Sequence, residues 1–139
     1  FFIIDEDEQH LVLVAGEGFV GPRTPRLALE NSCAGRSYLT GEKYYCRDTA
    51  TDPVYWHSAR NDHAFRSIAC VPVRVGKDVY GVICLDAEQP GAFTAEDFNY
   101  LEVFAAKVAL FCTFHSLQQT LQAGVRYGHR SEGGERGWQ

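Results

Sequence analysis

The stretch Arg66-Ser67-Ile68-Ala69-Cys70-Val71-Pro72-Val73-Arg74-Val75, then Gly76-Lys77, then Asp78-Val79-Tyr80-Gly81-Val82-Ile83-Cys84-Leu85-Asp86 decides the fold. Ala69, Val71, Val73 and Val75 occupy every second position before Gly76-Lys77, and Val79, Gly81, Ile83 and Leu85 do so after it. A side-chain period of two on both sides of a short glycine turn predicts an antiparallel hairpin over Ser67 to Val75 and Asp78 to Asp86. Pro72 has no N–H to give to a ladder, so its position must meet an edge, a bulge or a gap in the pairing.

Downstream of the hairpin, Thr94 can cap a helix whose first turn carries Glu96 and Asp97, where negative charge favours the positive end of the dipole. Phe98, Leu101, Ala105, Val108, Cys112 and His115 then recur at spacings of three and four. Continued to about Gln122, this helix would be roughly 43 Å long at 1.5 Å per residue. A globule of this chain length is only about 37 Å across, so the helix should overshoot its own domain. Between Val103 and Phe114 only Lys107 and Thr113 interrupt the apolar run, which is more grease than one sheet can cover. A helix from upstream, a second copy of the chain, or both together in a helical bundle must bury the remainder. Beyond Gly124 the sequence turns polar and glycine-rich, so the expected division is a domain over residues 1–122 and a tail or linker over residues 123–139.

Upstream, Phe1 to Ile4 and Leu11 to Ala15 are short apolar runs joined by the acidic connector Asp5 to His10, which reads as a second hairpin. Gly16 to Gly21 spells G-x-G-x-x-G, but Pro22 and Pro25 block the immediate helix that would hold a pyrophosphate, and Glu17 adds like charge. That segment is a turn. Gly35 to Leu39 predicts a short helix ended by Gly41, and Tyr44 to Cys46 a brief strand. Arg47 to Arg66 has no sustained period and reads as a long, functional loop.

The 139 residues form a domain-sized chain with 45% hydrophobic and 22% charged residues, within the range of packed soluble proteins. A formal net charge of -5 disfavours nucleic acid, whose backbone needs a concentrated basic face. Five cysteines with no C-x-x-C pair suit neither a disulfide framework nor a structural zinc module, so a reducing cytoplasm is the expected home. Phe1-Phe2-Ile3-Ile4 runs into Asp5-Glu6-Asp7-Glu8 without a basic flank, so no signal peptide or membrane span is expected there. With no methionine in the chain, we expect it to begin within a longer protein.

The succession "RS, strand, VPV, strand with a central glycine, FTxxD, helix", carried by Arg66 to Val73, Val79 to Asp86 and Phe93 to Asp97, resembles a GAF domain. Gly16-Glu17-Gly18, Gly35-Arg36 with Thr40-Gly41, and Asp48 with Asp52-Pro53 support it, and the likeness extends from Phe1 to about Ala109. The resemblance implies an α+β, PAS/profilin-like architecture: a central antiparallel sheet of about five to six strands, helices on one face and ligand-pocket loops on the other. It implies a sensory or regulatory role, with a signal passed along the long C-terminal helix to an adjoining output domain. The family's first helix would lie before Phe1.

Several chemistries belonging to branches of that family can be weighed against the residues. Cyclic-nucleotide binders carry an Asn-Lys pair and Phe, three residues, Asp, Glu; Phe93 and Asp97 match, but Phe98 replaces the Glu and no Asn-Lys exists. Bilin binders carry a Cys-His dipeptide, which none of Cys33, Cys46, Cys70, Cys84 and Cys112 provides. Free methionine sulfoxide reductases need an accessible thiolate and a resolving partner, for which Cys33 and Cys46 are the candidates. His57, Asp62, His63, Asp48 and Asp52 include metal-ligand types without a recognised spacing, and Cys112 with His115 supplies two ligands on an apolar face.

The expectation is therefore a non-catalytic domain with no metal and no named cofactor. It would bind a small molecule through Tyr44, Cys46, Tyr55, Trp56, His57, His63 and Phe65. Homodimerisation through the last helix is expected, with neither nucleic acid nor membrane as partner. The alternatives are a ligand-free dimerisation scaffold and a thiol-dependent reductase.

Overall fold

A computed structural model describes residues 1–5, 7–18, 26–55 and 65–131, with side chains to residue 125. Its elements are β1 (Phe2–Ile4), β2 (His10–Leu13), β3 (Arg26–Ala28), α1 (Cys33–Thr40), β4 (Tyr44–Cys46), β5 (Ser67–Val75), β6 (Asp78–Ala87) and α2 (Ala95–Ser131). The described strands form one sheet in the order β3-β2-β1-β6-β5-β4, with every described pairing antiparallel. The α+β class and the six-stranded antiparallel sheet agree with the sequence reading.

The β5–β6 hairpin closes on Val75↔Asp78, with Gly76 in the left-handed region at φ 59°. A register shift at Val73/Arg74 is the bulge, and β4 pairs with β5 only as far as Cys70. Pro72 thus lies where the outer edge of β5 has no strand beside it among the described residues, the position at which a missing N–H leaves no ladder bond unmade. Gly81 lies where β1 pairs with β6, and a Cβ there would run into the Phe2 carbonyl oxygen. Only glycine lets these two strands approach as they do.

Alternation along β5 builds two cores. Ala69, Val71 and Val73 pack with Ile83 against Phe98, Leu101, Ala105 and Ala109 of α2. Cys70, with Val82, Leu11 and Cys46, packs instead with Cys33 and Ala34 of α1. The first turn of α2 is fixed by a reciprocal cap: Asp97 N–H donates to Thr94 Oγ1 at 3.3 Å, and Thr94 N–H donates to Asp97 Oδ2 at 2.7 Å. Helix α1 starts at a Ser32 cap that accepts from Gly35 N–H at 2.9 Å and ends at Gly41, φ 68°.

Two elements depart from the sequence reading. β3 has no sequence signal: three residues following two prolines carry no usable alternation. Helix α2 continues past Gln122 to Ser131, because a single glycine such as Gly124 costs only about 1 kcal/mol within a helix. At 1.5 Å per residue α2 is about 55 Å long. The chain divides into two compact units, Phe1–Ala109 and Leu110–Gln139. The first holds the sheet, α1 and the start of α2; the described part of the second is the distal length of α2.

Candidate functional site

The α1 face of the sheet gathers the polar groups. β4 delivers Tyr44 and Cys46, the first residue of α1 delivers Cys33, and the loop after β4 turns back to present Asp52. Asp52 Oδ1 accepts from the N–H groups of Val54 at 2.8 Å and Tyr55 at 2.9 Å, a side-chain-to-backbone turn that fixes the carboxylate. The Tyr44 hydroxyl donates to both Asp52 oxygens at 3.0 Å. One oxygen of Asp52 and the sulfurs of Cys33 and Cys46 all lie within 4.8 Å of one another.

Burial dominates the electrostatics of this group. It pushes the Cys46 thiol up to about 11, with the Asp52 charge adding to the effect. Cys33 is raised further, first by burial and then by Cys46 and Asp52. The Tyr44 phenol rises as well, through burial and then through its bond to Asp52. These groups are therefore neutral at pH 7, whereas thiol nucleophiles react as thiolates.

A second set of contacts clasps the ends of the long loop. Arg66 donates to Asp48 through Nε at 3.0 Å and Nη2 at 2.9 Å, a two-bond fork that also holds the Asp48 carboxyl below the usual carboxylate range. Thr49 N–H donates to the Arg66 carbonyl at 3.0 Å, and Thr49 Oγ1 donates to the Phe65 carbonyl at 2.9 Å. The two ends of the segment are thereby tied together across the sheet's edge.

Of the residues nominated from sequence, Tyr44, Cys46 and Tyr55 come together on this face with Cys33. Phe65 is 36% exposed, at the clasp. Trp56, His57 and His63 lie outside the described residues, as does Asp62. Asp48 is engaged by Arg66, and among the described residues of the sequence-proposed ligand set only Asp52 faces a thiol pair. On α2, Cys112 is half-buried, whereas His115 is exposed, stacks on Phe111 and meets Gln119 at 3.0 Å, so the two form no joint site. The convergence of Cys33, Cys46 and Asp52 was missed as a unit, since it depends on α1 packing across β4 and no sequence spacing encodes that.

On the opposite face, Leu85, Phe93, Asp97, Tyr100, Leu101 and Phe104 line an open depression of about 390 Å³. Phe93 packs into the α2-side core.

The family profile of the GAF domain matches residues 1–111. No curated protein matches the chain. Among solved structures, the free methionine-R-sulfoxide reductase of Neisseria meningitidis, in complex with its substrate, superposes with a TM-score of 0.66 at 22% identity over 78% of this chain and 62% of that one. The present chain thus spans less than two thirds of that protein. The type II free methionine-R-sulfoxide reductase of Thermoplasma acidophilum gives 0.62 at 24% identity, covering 78% of this chain and 72% of that one. The GAF domain of a phosphoenolpyruvate-protein phosphotransferase from Coxiella burnetii gives 0.73 at 18% identity, covering 86% and 73%. At such identities the structural likeness speaks for the fold, and the profile match speaks for the family: this chain belongs to the GAF domain family.

Proposed function

We propose that this is a non-catalytic regulatory domain that binds a small ligand on its α1 face and passes the change along α2 to an adjoining output domain. The observation that carries this reading is the knot of Tyr44, Cys33, Cys46 and Asp52: a few convergent polar groups set in an otherwise apolar face, which is the make-up of a small-ligand site. Ligand binding then acts through unequal affinity for two arrangements of the helix.

The exposed side of α2 supports self-association. Tyr100, Val103, Leu110, Phe114, Leu117 and Leu121 are between 58% and 71% exposed. They fall, with Lys107, on alternating three- and four-residue steps, the repeat by which helices pair. We assign their partner as the same stripe of a second copy. Within Ala95–Val125 an 18-residue stretch reaches a mean hydropathy of 1.3, long and apolar enough to cross a membrane by length and composition alone. Its buried Phe98, Leu101, Ala105 and Ala109 are, however, already committed to the sheet. All five cysteines are free thiols, in keeping with a cytoplasmic location. The net charge of -5 argues for neither nucleic acid nor an anionic lipid surface as partner.

A second reading is a thiol-dependent reductase of free methionine-R-sulfoxide, favoured by the closeness of Cys33 and Cys46 and by the fold neighbours. The neutral state of those thiols argues against it. The deciding assay is turnover of free methionine-R-sulfoxide with a thioredoxin reducing system. We expect none above background; turnover that disappears in Cys46→Ser would replace the sensor reading with the enzymatic one.

A further inference from the structure

We propose that Cys33 Sγ, Cys46 Sγ and the Asp52 carboxylate form a three-residue site for a zinc-class divalent cation, with a fourth coordination position left to an exchangeable ligand. Three separate elements, α1, β4 and the loop after β4, bring these atoms within 4.8 Å of one another. Tetrahedral zinc, with Zn–S near 2.3 Å, needs its ligand atoms about 3.8 Å apart. Side-chain rotation can supply such a contraction with no rearrangement of the strands.

The donor set selects the ion. Two thiol sulfurs, each releasing its proton to solvent as it binds the ion, and one oxygen suit zinc or cobalt, whereas calcium and magnesium require oxygen ligands throughout. The supporting contacts also match. Asp52 Oδ1 is occupied by the amides of Val54 and Tyr55. Oδ2 accepts from the Tyr44 hydroxyl at 3.0 Å. Outer contacts of this kind orient a metal-ligating carboxylate. The neighbouring cysteines are otherwise engaged: Cys70 and Cys84 face each other at 3.2 Å.

This assignment deepens the sensor reading and rests on it for one consequence only, that the ion is the sensed ligand. A metal that joins the start of α1 to the end of β4 would draw together two elements of the pocket face.

The test uses chelator-stripped protein in a reducing buffer, titrated with zinc against a chromophoric competitor and, in parallel, with cobalt. One ion per chain is expected, with a thiolate-to-cobalt charge-transfer band. Cys46→Ser should lose affinity beyond about 100-fold, the upper end of what outer-contact changes cost. Asp52→Asn should lose at least about 10-fold, with circular dichroism confirming that the fold is kept. Cys112→Ser, which removes a thiol that is not part of the cluster, should bind as the parent does. Substoichiometric binding, a cobalt spectrum without the band, or parent-like affinity in folded Asp52→Asn overturns the site. Hydrogen exchange along α2 separates the two claims. Stoichiometric zinc with unchanged exchange upholds the site and removes the ion as the sensed ligand; no zinc binding overturns the site and leaves the sensor reading open to an organic ligand.

Discussion

Cys70 and Cys84 occupy directly paired positions on β5 and β6, and their sulfurs lie 3.2 Å apart. Paired Cα atoms in antiparallel strands are about 4.5–5.5 Å apart, within the range a disulfide spans. Treatment with diamide should therefore join these two sulfurs, each thiol surrendering one hydrogen to the azo reagent. Peptide mapping should recover a Cys70–Cys84 cross-link, and the oxidised protein should gain stability, up to about 3 kcal/mol for a loop of this length. Failure to cross-link under conditions that modify Cys112 would contradict the geometry.

At Gly81 the contact with the Phe2 carbonyl leaves no room for a methyl group. We expect Gly81→Ala to destabilise the domain by more than about 2 kcal/mol, in the range of forced backbone shifts, measured by urea unfolding. Gly18→Ala tests the opposite case: that residue has φ 73° but nothing within 4 Å, so backbone strain alone should cost about 1 kcal/mol.

Tyr45 holds the entry to α2. Its hydroxyl oxygen accepts from Phe93 N–H at 3.0 Å, and its ring meets Phe98 edge-on at 5.3 Å. Tyr45→Phe keeps the ring contact and removes the acceptor. The expected loss is about 1 kcal/mol, read from chemical denaturation, with little change in the near-ultraviolet signature of packing.

The Asp48 carboxyl is held low by Arg66 and by Ala50 N–H. A lowered folded-state value gives a stabilising contribution that is present above the unfolded value near 4 and is lost as pH falls through the folded one. Melting temperatures of the parent and Asp48→Asn should therefore differ at neutral pH and converge in acid, below about pH 4. A gap that persists unchanged at pH 2 would remove the ion pair as its cause.

Self-association through α2 predicts that Leu110→Glu with Leu117→Glu, both on the exposed stripe, yields a monomer in sedimentation. Circular dichroism of the sheet should survive, since neither residue belongs to the sheet-facing core. A parent protein that is monomeric at high micromolar concentration would refute the pairing.

The parts of the fold legible in sequence were those with local signatures. The β5–β6 hairpin announced itself through Val71, Val73 and Ile83 alternating around Gly76, and the start of α2 through Thr94 and Asp97. Gly124 resembles a stop and so predicts a shorter helix, although one glycine is weak against helix-forming neighbours on both sides. β3 is held in place by pairing with β2, through His10↔Ala28 and Leu11↔Leu27, a non-local cause with no local trace. The candidate site was half legible. Tyr44, Cys46 and Tyr55 followed from the family likeness, but the meeting of Cys33 with Asp52 arises from helix-on-strand packing between residues far apart in the chain.

The proline in β5 has a colloidal consequence. An open sheet margin is a template on which a foreign strand can grow, and natural sheets guard such margins. Pro72 withholds a donor there, and Arg74 ties the margin to the end of α1 through the Gly41 carbonyl at 2.9 Å. Crowded preparations should thus resist edge-to-edge polymerisation, and Pro72→Thr should bring fibril-dye binding forward in time.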